Sequence, residues 1–420
     1  MSTKPRVATK VTTNSTRVPT LKEISEARIG PPTHVASRAL RPAWIGNAAP
    51  AAIASARNAK GIASGFRGDM LVPLPPTGEA QMLSFGVTVL PDPPYTRLVE
   101  VLQNAEKEGF EYGWTYDSHI LWQESYALLA IAATQTQKIK LGHCVTNPGI
   151  RDPTITASWY ATMQDISNGR MVMGIGRGDS SRRVVGLKPV KVDEFERRLR
   201  MIKDLMNGRK VDWNDKELEL TWVRDELPDV PMHVAGYGPR ALGVAGRVGD
   251  GVIIQLADPQ IVQWIMATAR EAAEAEGRDP DALQCIVCAP SHVSDDLAEA
   301  REQVRWFPAM VSNHVMDLIE KYGADSDEIP TALTDFVKAR KFYDYKDHSR
   351  VGAKHGEFVT DEICDRFCVL GNTQQVTEKL RELESIGVDQ FDIYLMTEGA
   401  DETLAAYGKD VIPQFTRVAA

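Results

Sequence analysis

The sequence predicts a (β/α)8 barrel, the TIM-barrel class of α/β fold, with an insertion between strands seven and eight and a disordered N-terminal extension. Three observations carry this expectation. Short β-rich runs alternate with helical stretches from Leu83 onward, there are eight such runs, and the helices open on proline and close on glycine. A doubly wound open sheet is the alternative that the same alternation allows.

The runs are LSFGVTV (83–89), YGWTY (112–116), IKLGHCV (139–145), MVMGIG (171–176), PMHVA (231–235), GVIIQ (251–255), QCIVCA (284–289) and QFDIYL (390–395). Between them, 95–109 closes at Gly109, 153–167 opens on Asp152-Pro153, 191–207 stops before Gly208, and 258–276 opens on Asp258-Pro259 and stops at Gly277. Proline suits a first helical turn because the N–H it lacks has no partner there, and glycine takes the left-handed cap conformation without steric cost. Two intervals are too long for one helix. Residues 208–230 predict a hairpin, and 306–357 predict a polar, aromatic insertion. Loops that follow barrel strands gather at the C-terminal mouth, so the insertion is placed to act as a lid.

A net charge of −9 argues against a nucleic-acid partner, whose phosphates require a basic surface. No apolar run is long enough to span a membrane. The charge is uneven, because residues 1–81 hold 11 Lys+Arg against 4 Asp+Glu. That segment is rich in Ala, Pro, Ser and Thr and reads as a disordered or loosely attached extension. It is either a targeting segment or the product of a misassigned start, with Met70 and Met82 preceding the barrel domain of 82–420. Five cysteines, an odd number, suit a reducing, cytoplasmic compartment. Cys285 and Cys288 form a C-x-x-C, but on a strand positions i and i+3 face opposite sides, so they read as buried small hydrophobes and no metal site is expected.

The candidate site lies where strands end. Arg177-Gly178-Asp179-Ser180 follows the fourth strand, with glycines at 174, 176 and 178 that do not fit G-x-G-x-x-G. What remains is a tight turn with bare amides able to hold an anion. The fifth strand repeats the device in Gly236-Tyr237-Gly238-Pro239, where a helix N-terminus would attract phosphate. Asp117, Ser118 and His119 end the second strand, and a histidine beside a carboxylate can pass a proton near neutral pH. The alternative there is a helix cap and a loop hydrogen bond. Thr146 and Asn147 end the third strand and could contact a flat heterocycle. Trp114 and Trp122 read as core or rim.

These motifs, WTYDSH, VTNPGIRDP, ISNGRMVMGIGRGDS, AGYGPRAL, GDGVIIQLADP and LGNTQQV, together resemble the luciferase-like flavin-dependent oxidoreductase superfamily over 82–415. The similarity is to the branch of deazaflavin enzymes related to methylenetetrahydromethanopterin reductase. It implies reduced FMN or coenzyme F-420 at the mouth, with monooxygenase chemistry or hydride transfer on a small organic substrate. It further implies Thr146 and Asn147 along the ring, beside a non-proline cis peptide in strand three. Arg177, Gly178, Asp179 and Ser180 would surround the phosphate with Gly236, Tyr237, Gly238 and Pro239, and His119 or Asp117 would act as proton donor or base. A separate flavin reductase or deazaflavin-reducing dehydrogenase, and a homodimer, follow from the same resemblance. Tyr343, Tyr345, His348 and His355 would be lid residues facing substrate, or else a solvated or subunit-contacting excursion. A phosphosugar isomerase or aldolase, and a flavin-binding protein without activity, stay open as alternatives.

Overall fold

The computed structural model describes residues 82–323 and 329–415. The expectations for residues 1–81 lie outside these.

All eight predicted runs are strands of one parallel sheet. In chain order they are β1 (Ser84–Val89), β2 (Tyr112–Thr115), β3 (Lys140–His143), β4 (Met173–Ile175), then, after the hairpin β5 (Val211–Trp213) and β6 (Lys216–Leu218), β7 (Met232–Ala235), β8 (Gly251–Ile254) and β9 (Gln284–Ala289). A short pair outside the barrel, β10 (Ser291–Val293) and β11 (Val369–Gly371), precedes β12 (Gln390–Tyr394). The sheet runs β3-β2-β1-β12-β9-β8-β7-β4. Two isolated bridges, Leu141 to Met171 and Thr146 to Ile175, join its ends and close the barrel.

That seam depends on glycine. The Thr146 amide donates to the Gly174 carbonyl and the Gly176 amide to the Thr146 carbonyl, both at 2.9 Å. A Cβ on Gly174 would stand 2.3 Å from the His143 carbonyl oxygen, and one on Gly142 only 2.0 Å from that of Val172. The strands therefore meet at a distance no side chain permits.

The helices obey their predicted punctuation. α1 (Tyr95–Lys107) is followed by Gly109 at φ +91°. α2 (Ser125–Gln135), apolar nearly all round and absent from the sequence reading, is capped by Glu124. α3 (Pro153–Ile166) is capped by Asp152, whose carboxylate accepts from the Thr154 amide at 2.8 Å. A single turn, α4 (Ser180–Arg183), precedes α5 (Val192–Met206). The β5–β6 turn places Asn214 and Asp215 at φ +48° and +60°, the left-handed pair that a tight hairpin requires. α6 (Pro239–Val248) and α7 (Pro259–Ala275) both start on proline.

The segment between β9 and β12 is more helical and more buried than its polar sequence suggests. It contains α8 (Leu297–Val304), α9 (Trp306–Tyr322), the turn α10 (Thr331–Thr334) and α11 (Asp361–Phe367). Trp306 and Phe307 at the start of α9 belong to the core. β10 and β11 pair in parallel where this segment leaves and rejoins the barrel. α12 (Thr373–Ser385), opened by a reciprocal Asn372–Gln375 capping box, and α13 (Ala400–Ala406) complete the outer layer.

Candidate active site

The ends of β2, β3, β4, β7 and β8 converge on one cavity of about 180 Å3 at the C-terminal mouth. The two glycine corners, Gly176–Ser180 after β4 and Gly236–Gly238 after β7, both line it, together with Asp117, Thr146 and Asn147. Pro239 is the first residue of α6 and lies just behind. The cis peptide falls between Cys144 and Val145, at the end of β3 and in the cavity wall.

Each corner is fixed by its neighbours. Gly178 takes φ +79°, and a Cβ there would crowd Arg182 at 2.7 Å and Asn147 at 3.0 Å. Ser118 and Ser180 share a 2.7 Å hydrogen bond that ties the β2 end to the β4 end. Asn147 donates to Ser181 at 2.9 Å and accepts from the Gly149 amide at 3.0 Å. At the other corner Gly238 is the N-cap of α6 and offers no side chain to its first-turn amides. A Cβ on Gly238 would strike Leu318 of α9 at 2.7 Å, so the insertion packs directly on this corner.

Asp117 ends a relay. Thr146 Oγ1 donates to Asp117 Oδ2 at 2.7 Å, and Tyr126 Oη lies 2.6 Å from the same Thr146 hydroxyl. Burial pushes the Asp117 carboxyl above the usual carboxylate range, with the Thr146 hydrogen bond opposing it. Beneath the relay His143 sits between Tyr160 Oη at 2.7 Å and Ser125 Oγ at 3.1 Å, and burial lowers it to about 3, so it is neutral.

The charges divide into paired and unpaired. Arg183 binds Asp179 and also Asp317, the latter at 2.5 Å, while Arg240 binds Asp193 at 2.7 Å. Asp179 additionally accepts from Tyr345 Oη at 3.3 Å, so its carboxylate is already satisfied within the corner. Arg177 donates through Nε to the Val190 carbonyl at 2.7 Å, and Lys321 reaches the Tyr322 hydroxyl at 2.9 Å. Among the described residues neither of these two cavity cations forms an ion pair.

The remaining sequence candidates separate. His119 is exposed at the rim and is not among the cavity-lining residues, although its charge acts on Asp117. Of the four lid candidates only His348 lines the cavity. Its Nδ1 pairs with Tyr343 Oη at 2.5 Å, its ring leans on Trp122 at 5.7 Å, and burial lowers it to about 4. Tyr343 and Tyr345 support His348 and Asp179 from behind, and His355 is buried against the Tyr343 ring at 4.1 Å.

Sequence reasoning missed Gln255, whose side-chain amide donates to Tyr394 Oη at 2.7 Å and whose backbone carbonyl accepts from Tyr237 Oη at 3.2 Å. Its place at the end of a predicted strand was the available signal. It also missed His314, stacked on Tyr237 at 4.7 Å and 17°. His314, Leu318 and Lys321 recur at one helical face of α9, which their spacing would have revealed had that helix been recognised.

Comparison with known proteins places the geometry in context. The sequence profile of the luciferase-like monooxygenase family matches residues 75–390. The chain is 28% identical over 341 residues to 5,10-methylenetetrahydromethanopterin reductase of Archaeoglobus fulgidus, covering 79% of this chain and 99% of that one. It is 30% identical over 264 residues to an F-420-dependent hydroxymycolic acid dehydrogenase of Mycobacterium tuberculosis, covering 57% and 71%. Among solved structures, the coenzyme F-420-dependent tetrahydromethanopterin reductase of Methanopyrus kandleri superposes with a TM-score of 0.65 at 25% identity, over 80% of this chain and 100% of that one.

Proposed function

The chain belongs to the luciferase-like monooxygenase family and is an oxidoreductase, and from that premise we propose that it works with the deazaflavin coenzyme F-420 on a small organic substrate. One observation carries the choice of an anionic cofactor. Arg177 and Lys321, which have no acidic partner among the described residues, share a cavity with the uncapped amides of the Gly236–Pro239 corner. Donors and cations left unsatisfied in one concave site are what a phosphate-bearing tail requires. The hydroxymycolic acid dehydrogenase and the Methanopyrus kandleri reductase, both named as F-420-dependent, favour F-420 over FMN.

In this reading Arg177, the β4 corner and the β7 corner hold the tail, while Thr146, Asn147 and the Cys144–Val145 wall lie along the ring. When bound, F-420 supplies a carbon centre that gives or takes a hydride. Asp117 handles the accompanying proton, its carboxyl raised by burial and aimed by Thr146. His119 at the rim exchanges that proton with solvent. His348 and His314, both lowered by burial, face the substrate as neutral hydrogen-bonding groups. The insertion that carries them serves as the lid and excludes water. A separate deazaflavin-reducing dehydrogenase recycles the coenzyme, and five free, buried cysteines suit a reducing, cytoplasmic setting.

The test is a binding titration followed by absorbance and fluorescence, with F-420 and FMN in separate arms. Saturable F-420 binding is expected, weakened about 10- to 100-fold in Arg177→Ala, the scale of one charge-assisted hydrogen bond or a bidentate pair. Binding of FMN alone would transfer the site to flavin chemistry, and binding of neither would refute the assignment.

A further inference from the structure

Below the cavity floor three side chains from three barrel strands meet. They are Cys144 just past β3, Cys288 on β9 and Asp392 on β12, each no more than 1% exposed. The two sulfurs lie 3.7 Å apart, and the ligand atoms of all three residues fall within 4.8 Å of one another. The C-x-x-C of the sequence thus splits as its spacing predicts, since Cys288 meets Cys144 and Cys285 is outside the cluster. Thr88 donates to Asp392 Oδ2 at 2.5 Å, but Oδ1, fully buried, has no hydrogen-bond partner.

We propose that Cys144, Cys288 and Asp392 form a binding site for a soft divalent cation of the zinc class in the barrel interior. Two thiolates each about 2.3 Å from a tetrahedral zinc stand about 3.8 Å apart. The observed 3.7 Å needs no movement. A disulfide would instead require the same sulfurs to close to about 2.05 Å. A carboxylate oxygen of Asp392 supplies the third ligand, on a buried group whose Oδ1 has no hydrogen-bond partner within ordinary geometry. Its Oδ2, held by Thr88, fixes the carboxylate in the manner of an outer-shell hydrogen bond. Cys144 also lines the cavity, which gives the ion a route of entry and leaves the fourth coordination position on the cavity side. Uptake of the cation displaces the two thiol protons and the Asp392 carboxyl proton to solvent, and nothing is oxidised or reduced. Two sulfurs and one oxygen select zinc, cobalt or cadmium over magnesium or calcium. The site does not depend on which redox cofactor occupies the cavity above it.

The experiment is a Co2+ titration of the purified full chain, read by thiolate-to-cobalt charge-transfer absorption. The expected result is saturation at one Co2+ per chain, displacement by Zn2+ and no displacement by excess Mg2+. Cys288→Ser should remove the band and Asp392→Asn should weaken binding about tenfold or more, with circular dichroism confirming the fold. Cys364→Ser with Cys368→Ser, the other close cysteine pair, should leave it intact. X-ray absorption of the zinc-loaded wild-type chain gives a readout without mutation, and a first shell of two sulfurs with lighter atoms is expected. Absence of the band from a natively folded chain, its survival in Cys288→Ser, or a first shell without sulfur would overturn the proposal.

Discussion

Replacing Gly174 by alanine tests how the barrel closes around its cavity. The new Cβ would lie 2.3 Å from the His143 carbonyl oxygen and 2.8 Å from Ile253 Cδ1. Close carbon–oxygen contacts across a sheet settle near 3.3 Å, so β3 and β4 must part by about 1 Å. Backbone cannot swing aside as a side chain tip can. Parting the strands sacrifices the two 2.9 Å hydrogen bonds between Thr146 and the Gly174–Gly176 stretch, at about 1 kcal/mol each. The forced shift in a packed core adds about 1–3 kcal/mol. Gly174→Ala should therefore destabilise the fold by about 3–5 kcal/mol, measured as a lowered urea midpoint. Gly176→Ala is the internal control, because its Cβ would meet the Val145 methyl at 3.2 Å and Ala235 only at the ordinary contact distance of 3.7 Å, and should cost less than about 1.5 kcal/mol. A Gly174→Ala protein within about 0.5 kcal/mol of wild type would show that the seam is not held as described.

Two further outcomes follow from the titratable groups. Asp117→Asn should lower kcat by about 10²–10⁴-fold, the range for loss of a positioned proton carrier, whereas His119→Ala, exposed at the rim, should lower it about tenfold or less; equal losses would return the central role to His119. Burial lowers His143 to about 3 and His233 and His348 each to about 4. Unfolded histidines bind protons near pH 6.5 while these folded ones do not, so stability is lost as pH falls from about 6.5 toward 4, at about 1.4 kcal/mol per unit for each histidine. Asp392, raised to about 8, stays protonated in the fold and acts with the opposite sign over the same window. For these four groups together the fall between pH 6 and pH 5 is about 2–3 kcal/mol, and denaturation midpoints that do not change across that interval would refute it.

Much of this architecture was written locally. Each barrel strand is a short apolar run between turn residues, and Asp152-Pro153, Asp258-Pro259 and Gly277 marked helix ends by chemistry that acts within one turn. The corners at Gly176–Ser180 and Gly236–Gly238 were readable for the same reason, and once strand order was inferred their convergence followed. Asp179 was readable only in part, because the Tyr345 hydroxyl that completes its pairing lies 166 positions away. The α9 face bearing His314 and Lys321 escaped notice because a helix packed on the mouth carries apolar residues on more than one side, which hides its period. Whether a histidine at a strand end points inward or out, the question at His119, is a rotamer decision made by neighbours distant in sequence.

The parallel pair formed by Ser291–Val293 and Val369–Gly371 sets the departure and return of the α8–α11 segment side by side. Its two roots are clamped to each other, so the excursion leaves and rejoins the barrel at a single anchorage. Transplanting 294–368 from one relative to another would have to preserve that clasp together with the packing of Trp306 and Phe307 in the core and of Leu318 on the Gly238 corner.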